Sequence, residues 1–187
     1  MTTNFILGLN PIISLFIMTN KPLILLIKNT VLDVCLSDGE KLQRDLCWDL
    51  PRKQNYLNYL ILGFITPPIW YVLRDGDQKK ILDGANRINA IKQFMKGEFA
   101  LNTIGTSAET LHSKFYLDFS PKEKIRFESI VIPVYWSDVV DDSQLEMDAA
   151  MIEIHLCANP PNSPQDETRL EGLRLKLQKI KKQIFKN

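Results

Sequence analysis

The seven residues Ile81-Leu82-Asp83-Gly84-Ala85-Asn86-Arg87 decide how the chain is read. A short extended run ends at Leu82, Asp-Gly breaks it, and a helical pattern starts at once. From Ala85 to about Lys96 the spacing puts Ile88, Ile91 and Phe94 on one face, with Gly97 as a stop. A glycine at a strand-to-helix junction lets backbone approach a ligand with no Cβ in the way. The first helical turn offers unpaired N–H groups and the positive end of the dipole, which favour an anion such as phosphate. Arg87, one turn in, can reach back over that place with a planar, permanent charge. Asp83 would repel phosphate unless it meets a metal ion, a sugar hydroxyl or an arginine. A Mg²⁺ shared with phosphate oxygens resolves the conflict; a pair with Arg44 or Arg87 resolves it without metal. A plain turn and cap also accounts for these residues, so residue type alone leaves the choice open.

The neighbouring pattern supplies the rest of the fold. Ile69–Leu73 and Lys80-Ile81-Leu82 read as a hairpin turning at Asp75-Gly76. Before it lies a helix capped by Asp49, with Pro51 in its first turn and Gly63 as its stop. Leu57, Leu60 and Ile61 share its apolar face. Residues 31–48 read as a strand or an irregular segment. Downstream, Ser120-Pro121-Lys122-Glu123 and Ser143-Gln144-Leu145-Glu146 are capping boxes that open two more helices. Between them Ile130–Trp136 (IVIPVYW) reads as a strand, which Pro133 should confine to an edge or mark with a bulge. A last helix follows Ser163-Pro164. Short strands and hairpins with helices inserted define an α+β fold.

A length of 187 residues fits one domain with a tail, and an apolar fraction of 45% is enough to build a core. With a net charge of +1, any nucleic-acid contact must come from local clusters of charge. The odd, scattered cysteines Cys35, Cys47 and Cys157 form no CxxC, and His112 and His155 are not at ligand spacing with them. That argues against a disulfide framework or structural zinc and for a reducing, cytoplasmic compartment. The apolar stretch 5–27 is cut by Asn10-Pro11 and Asn20-Lys21-Pro22 into runs too short to cross a bilayer singly. Without a preceding basic residue or a following cleavage site, it does not read as a signal peptide. Burial against the domain or a partner is expected. The division is then 1–28, an apolar N-terminal segment; 29–168, the main domain; and 169–187, a basic C-terminal helix.

Taken in order, the motifs resemble a known family. Gln43-Arg44-Asp45-Leu46-Cys47-Trp48, then Gly63-Phe64-Ile65-Thr66-Pro67-Pro68, then Asp83-Gly84-Ala85-Asn86-Arg87 are similar to the N-terminal domain of GmrSD-type restriction enzymes, domain of unknown function 262. Phe94–Leu101 (FMKGEFAL), IVIPVYW, Ile152–Asn159 (IEIHLCAN) and Gln165-Asp166-Glu167-Thr168-Arg169 continue the likeness, which covers about residues 30–170. The middle of the Asp-Gly-x-x-Arg motif departs from the family's usual Gln-Gln, with Ala85 and Asn86 in its place. The resemblance implies a ParB/sulfiredoxin-like core that binds a nucleoside triphosphate, with Mg²⁺-dependent hydrolysis put in question by that departure. It implies phosphate and nucleotide contacts from Gln43, Arg44, Gly84, Asn86 and Arg87, and a catalytic or Mg²⁺-holding role for Asp83. In larger relatives such a module drives a His-Asn-His nuclease. Here His155 alone follows His112, so that activity is not expected of this sequence, although a separate nuclease subunit or a homo-oligomer would suit the setting of DNA defence or processing. The competing expectation is a catalytically idle module that binds DNA or protein on the same scaffold.

The tail bears on that alternative. Residues 169–187 carry seven basic residues against Glu171 alone. Leu170, Leu173, Leu177, Ile180 and Ile184 form an apolar stripe beside them. Such a helix can dock on the domain, pair with another chain, or set Arg174, Lys176, Lys179, Lys181 and Lys182 along DNA phosphates.

Overall fold

A computed structural model describes residues 3–4, 17–32, 46–74 and 78–138, together with single helical positions between 145 and 182. The architecture is α+β, as the pattern predicts. The strands are β1 (Thr3–Asn4), β2 (Ile17–Pro22), β3 (Thr30–Val31), β4 (Ile69–Arg74), β5 (Gln78–Asp83) and β6 (Val131–Asp138). They form one mixed sheet in the order β1-β2-β6-β4-β5-β3. The helices are α1 (Leu23–Ile27), α2 (Leu50–Ile61), α3 (Ala85–Met95) and α4 (Pro121–Glu128).

The local signals act as chemistry requires. Asp49 caps α2 by accepting from Arg52 N at 3.0 Å, and Gly63 turns the chain away at φ +78°. Ser120 and Glu123 close a capping box on α4: Ser120 N donates to Glu123 Oε2 at 2.7 Å, and Glu123 N donates to Ser120 Oγ at 3.3 Å. β4 and β5 pair antiparallel from Arg74↔Gln78 inward, so the predicted hairpin is present; its turn lies outside the described residues. The second capping box, at Ser143, also lies outside them.

Strand alternation sorts side chains to two faces. Ile69, Tyr71, Ile81, Ile132 and Val134 join the main core beneath α1, α2 and α3. Val72 and Leu82 face the other way and pack with Leu145 and Ile152, flanked by Trp70 and Tyr135. At the centre of the main core Phe94 meets Phe99, Tyr116, Phe119 and Phe127 with ring centroids 5.4–5.9 Å apart. Three of those four contacts are near edge-on, the arrangement that aromatic quadrupoles prefer.

The end of the apolar N-terminal stretch is buried against the domain: β2 pairs with β6 over Ile17↔Trp136 to Pro22↔Val131, and Leu23 and Leu26 of α1 are fully buried in the core. One expectation is corrected: β6 is a central strand, not an edge, and Pro133 lies within it opposite Asn20. Pairing with β4 begins only at Val134↔Ile69, so Pro133 sits where one side of the strand has no ladder to break. Among the described residues no helix is long and apolar enough to cross a membrane.

Candidate functional site

The Asp-Gly-x-x-Arg motif lies at the end of β5 and the start of α3, where three distant segments meet. Gly84 is the N-cap of α3 in the left-handed region, φ +99°. A Cβ there would stand 2.3 Å from Ile69 Cδ1 and 3.2 Å from Arg87 Nη2. Glycine is thus required both by backbone conformation and by space. What comes close to it is the protein's own Ile69 and Arg87.

Arg87 is buried and makes three hydrogen bonds through its two terminal nitrogens. Its Nη1 donates to the Pro67 carbonyl, while Nη2 donates to the Pro68 carbonyl at 3.2 Å and to Asp83 Oδ2 at 2.5 Å. Its side chain is 10% exposed and that of Asp83 30%, so the pair is well shielded from solvent. Pairing with Arg87 is one of the ways the sequence allowed Asp83 to be balanced. Asn86 does something different. Its Oδ1 accepts from Cys47 N at 3.0 Å and Trp48 N at 3.1 Å. Trp48 in turn meets Tyr56 of α2 edge-on at 5.5 Å. Burial pushes the Tyr56 phenol up to about 12, against the opposing pull of the Arg87 charge.

Residues 47–48, 67–68 and 83–87 are therefore one polar knot, with bonds that join residues up to 39 positions apart. These are the segments that carry the family resemblance. Gln43 and Arg44 lie outside the described residues. Asp83 is one carboxylate, and among the described residues no group of three or more His, Cys, Asp and Glu side chains could hold a metal ion. Any Mg²⁺ at Asp83 would have to draw its remaining ligands from phosphate and water, as that ion ordinarily does.

The other predicted residues are dispersed. Cys47 is a free, exposed thiol, and Cys35, Cys157 and His155 lie outside the described residues. Arg174, Lys179 and Lys182 are helical and exposed, with Arg174 Nη1 3.8 Å from Glu171. Lys176 and Lys181 lie outside the described residues. A separate groove of about 290 Å³ runs between α2 and α4, with an apolar floor that includes Leu111, Phe119 and Phe127 and with Glu123 and Arg126 on its wall. It includes no residue of the knot.

Sequence reasoning missed one pair beside the knot. Trp70 stacks on Tyr135 across β4 and β6, with centroids 4.3 Å apart and planes 24° from parallel. Two aromatic residues in apolar strands carry no sign of this until the register is known. Comparison with protein-family models, curated proteins and solved structures finds no match.

Proposed function

We propose that this chain is a nucleotide-binding module of the GmrSD N-terminal type, acting in an intracellular DNA-defence or DNA-processing setting. One observation carries the reading: the three motif segments, recognised separately in sequence, converge on a single cluster around Asp83, Asn86 and Arg87. The roles within the cluster follow from its bonds. Arg87, already donating to three acceptors, locks the passage through Pro67 and Pro68 in place and is a positioning residue. Asn86 holds the Cys47–Trp48 backbone, the end of the Gln43–Trp48 motif. The resemblance assigns Gln43 and Arg44 to nucleotide and phosphate charge, and Asp83, while paired with Arg87, to Mg²⁺ or a sugar hydroxyl. Mg²⁺, when bound, would neutralise phosphate charge beside Asp83.

The engagement of Arg87 favours binding without turnover. An arginine whose charge is already balanced by a carboxylate has less to offer charge that develops on a phosphoryl group. This supports the idle-module expectation as regards hydrolysis. Calorimetric titration of the full chain with Mg²⁺ and each of the four ribonucleoside triphosphates, run beside a phosphate-release assay, tests both points. Saturable binding that Asp83→Ala weakens, with release at the level of buffer, is expected. No heat and no thermal shift with any triphosphate would end the nucleotide reading. Phosphate release abolished by Asp83→Ala would restore hydrolysis.

A further inference from the structure

We infer that the groove between α2 and α4 binds a small amphipathic acid, with its apolar body on the floor and its carboxylate on Arg126. The groove shares no residue with the polar knot, so the inference stands apart from the nucleotide reading. Its volume of about 290 Å³ lies at the small end of ligand sites and suits a small molecule. Phe119 and Phe127, which meet Phe94 in the core, also line the groove. Leu111 and Ile130 line it too and are only partly buried. The floor is thus a place where the main core reaches the surface.

The walls are fixed by the protein's own bonds. On one side residues 103–114 fold on themselves: Thr106 Oγ1 donates to the Thr103 carbonyl at 2.8 Å, and Ala108 N donates to Thr106 Oγ1 at 3.2 Å. The base of that segment is closed by Leu101 N donating to the Lys114 carbonyl and Ser113 N to the Leu101 carbonyl, each at 3.0 Å. Lys114 then reaches α4, where its Nζ donates to Glu123 Oε1 at 2.8 Å. A cavity whose walls are already tied loses little freedom when it is filled.

The charge on the α4 wall is unspent. Glu123, three residues before Arg126, is the carboxylate placed to balance it along the helix. Both its oxygens are taken, Oε1 by Lys114 and Oε2 by Ser120 N and Oγ. Glu128, the other acid near Arg126 on α4, accepts from the Tyr116 hydroxyl. Arg126 is exposed and, among the described residues, has no ion-pair or hydrogen-bond partner. With Lys114 balancing Glu123, the guanidinium is the net charge of the wall. A planar fork beside an apolar floor matches a carboxylate carried on an apolar chain.

The test separates the apolar body from the charge. Amide resonances of the full chain are followed in titrations with octanoate, 1-octanol and octylammonium, which share one chain length and differ in charge. Octanoate should shift the amides of Leu62, Ala108, Leu111 and Ile130 saturably and bind more tightly than octanol, with octylammonium weakest. Arg126→Gln, an exposed change that leaves the fold intact, should weaken octanoate on the order of three- to tenfold, the worth of a partly exposed charged bond. It should leave octanol unchanged. Shifts confined to residues away from the groove, equal affinity for octanoate and octanol, or octanoate binding that Arg126→Gln does not alter would each overturn the proposal. So would the absence of any saturable shift with octanoate. None of these outcomes bears on the nucleotide reading.

Discussion

The two ends of α3 are held by opposite means. At its start, Asp83, Asn86 and Arg87 tie three segments together through a few directional bonds. Two turns later Phe94 is gripped by four aromatic neighbours and has no solvent exposure. Hydrogen bonds fix angle and register but add little net energy each, whereas buried aromatic area adds much energy with little dependence on direction. A helix fastened in both ways carries its stability at one end and its positional accuracy at the other.

The largest effect is expected from Phe94→Ala. It removes the hub of the aromatic cluster and leaves a cavity, at a cost of roughly 3–5 kcal/mol. Chemical denaturation should show the lower midpoint, and a loss below about 1 kcal/mol would mean that the cluster collapses to fill the space. Arg87→Ala should come next, at roughly 3 kcal/mol, because it strands Asp83 and two carbonyls together. Asp83→Ala should cost less, since Arg87 keeps both proline carbonyls as partners. If the two substitutions prove equal, the carbonyl bonds contribute nothing and Arg87 is merely half of an ion pair.

Gly84→Ala probes the junction itself. The positive φ costs on the order of 1–3 kcal/mol by itself, and the new Cβ must also displace Ile69 Cδ1. Ile69→Val deletes that methyl group. Combined with Gly84→Ala it should recover part of the loss and leave the conformational part behind. Midpoints that simply add in the double variant would show that the collision is relieved elsewhere, and that φ alone demands glycine.

How legible the molecule is from its sequence depends on the range of each interaction. The helices α2, α3 and α4 and the β4–β5 hairpin can be read because caps, stops and spacing are local. The N-terminal stretch reads as a separate apolar segment because nothing near it announces that Ile17–Pro22 will pair with a strand over a hundred residues later. Pro133 misleads for the same reason: whether a proline interrupts a sheet depends on where the neighbouring strand begins. At the site, Gly84 correctly signals a close approach, yet a glycine cannot tell whether the visitor is a ligand or Ile69. Asn86 reads as a residue for ligand recognition, and it holds backbone N–H groups of the Cys47–Trp48 segment. The stack of Trp70 on Tyr135 is invisible in sequence because it exists only in register.

The smallest effect concerns α4, which supports the aromatic end from outside. Its capping carboxylate, Glu123, accepts from Lys114 Nζ at 2.8 Å and from Ser120 N and Oγ. The Lys114 bond, aided by Ser120, holds the carboxyl down to about 2 from its usual 4.5. A carboxyl that is harder to protonate when folded stabilises the fold wherever it is ionised in both states. Its contribution is therefore present above about pH 4.5 and fades as the pH falls toward 2. Melting temperatures of wild type and Glu123→Gln should differ slightly at pH 7 and converge on acidification across that window. Should Glu123→Gln melt with the wild type at every pH, the cap would orient α4 without stabilising it.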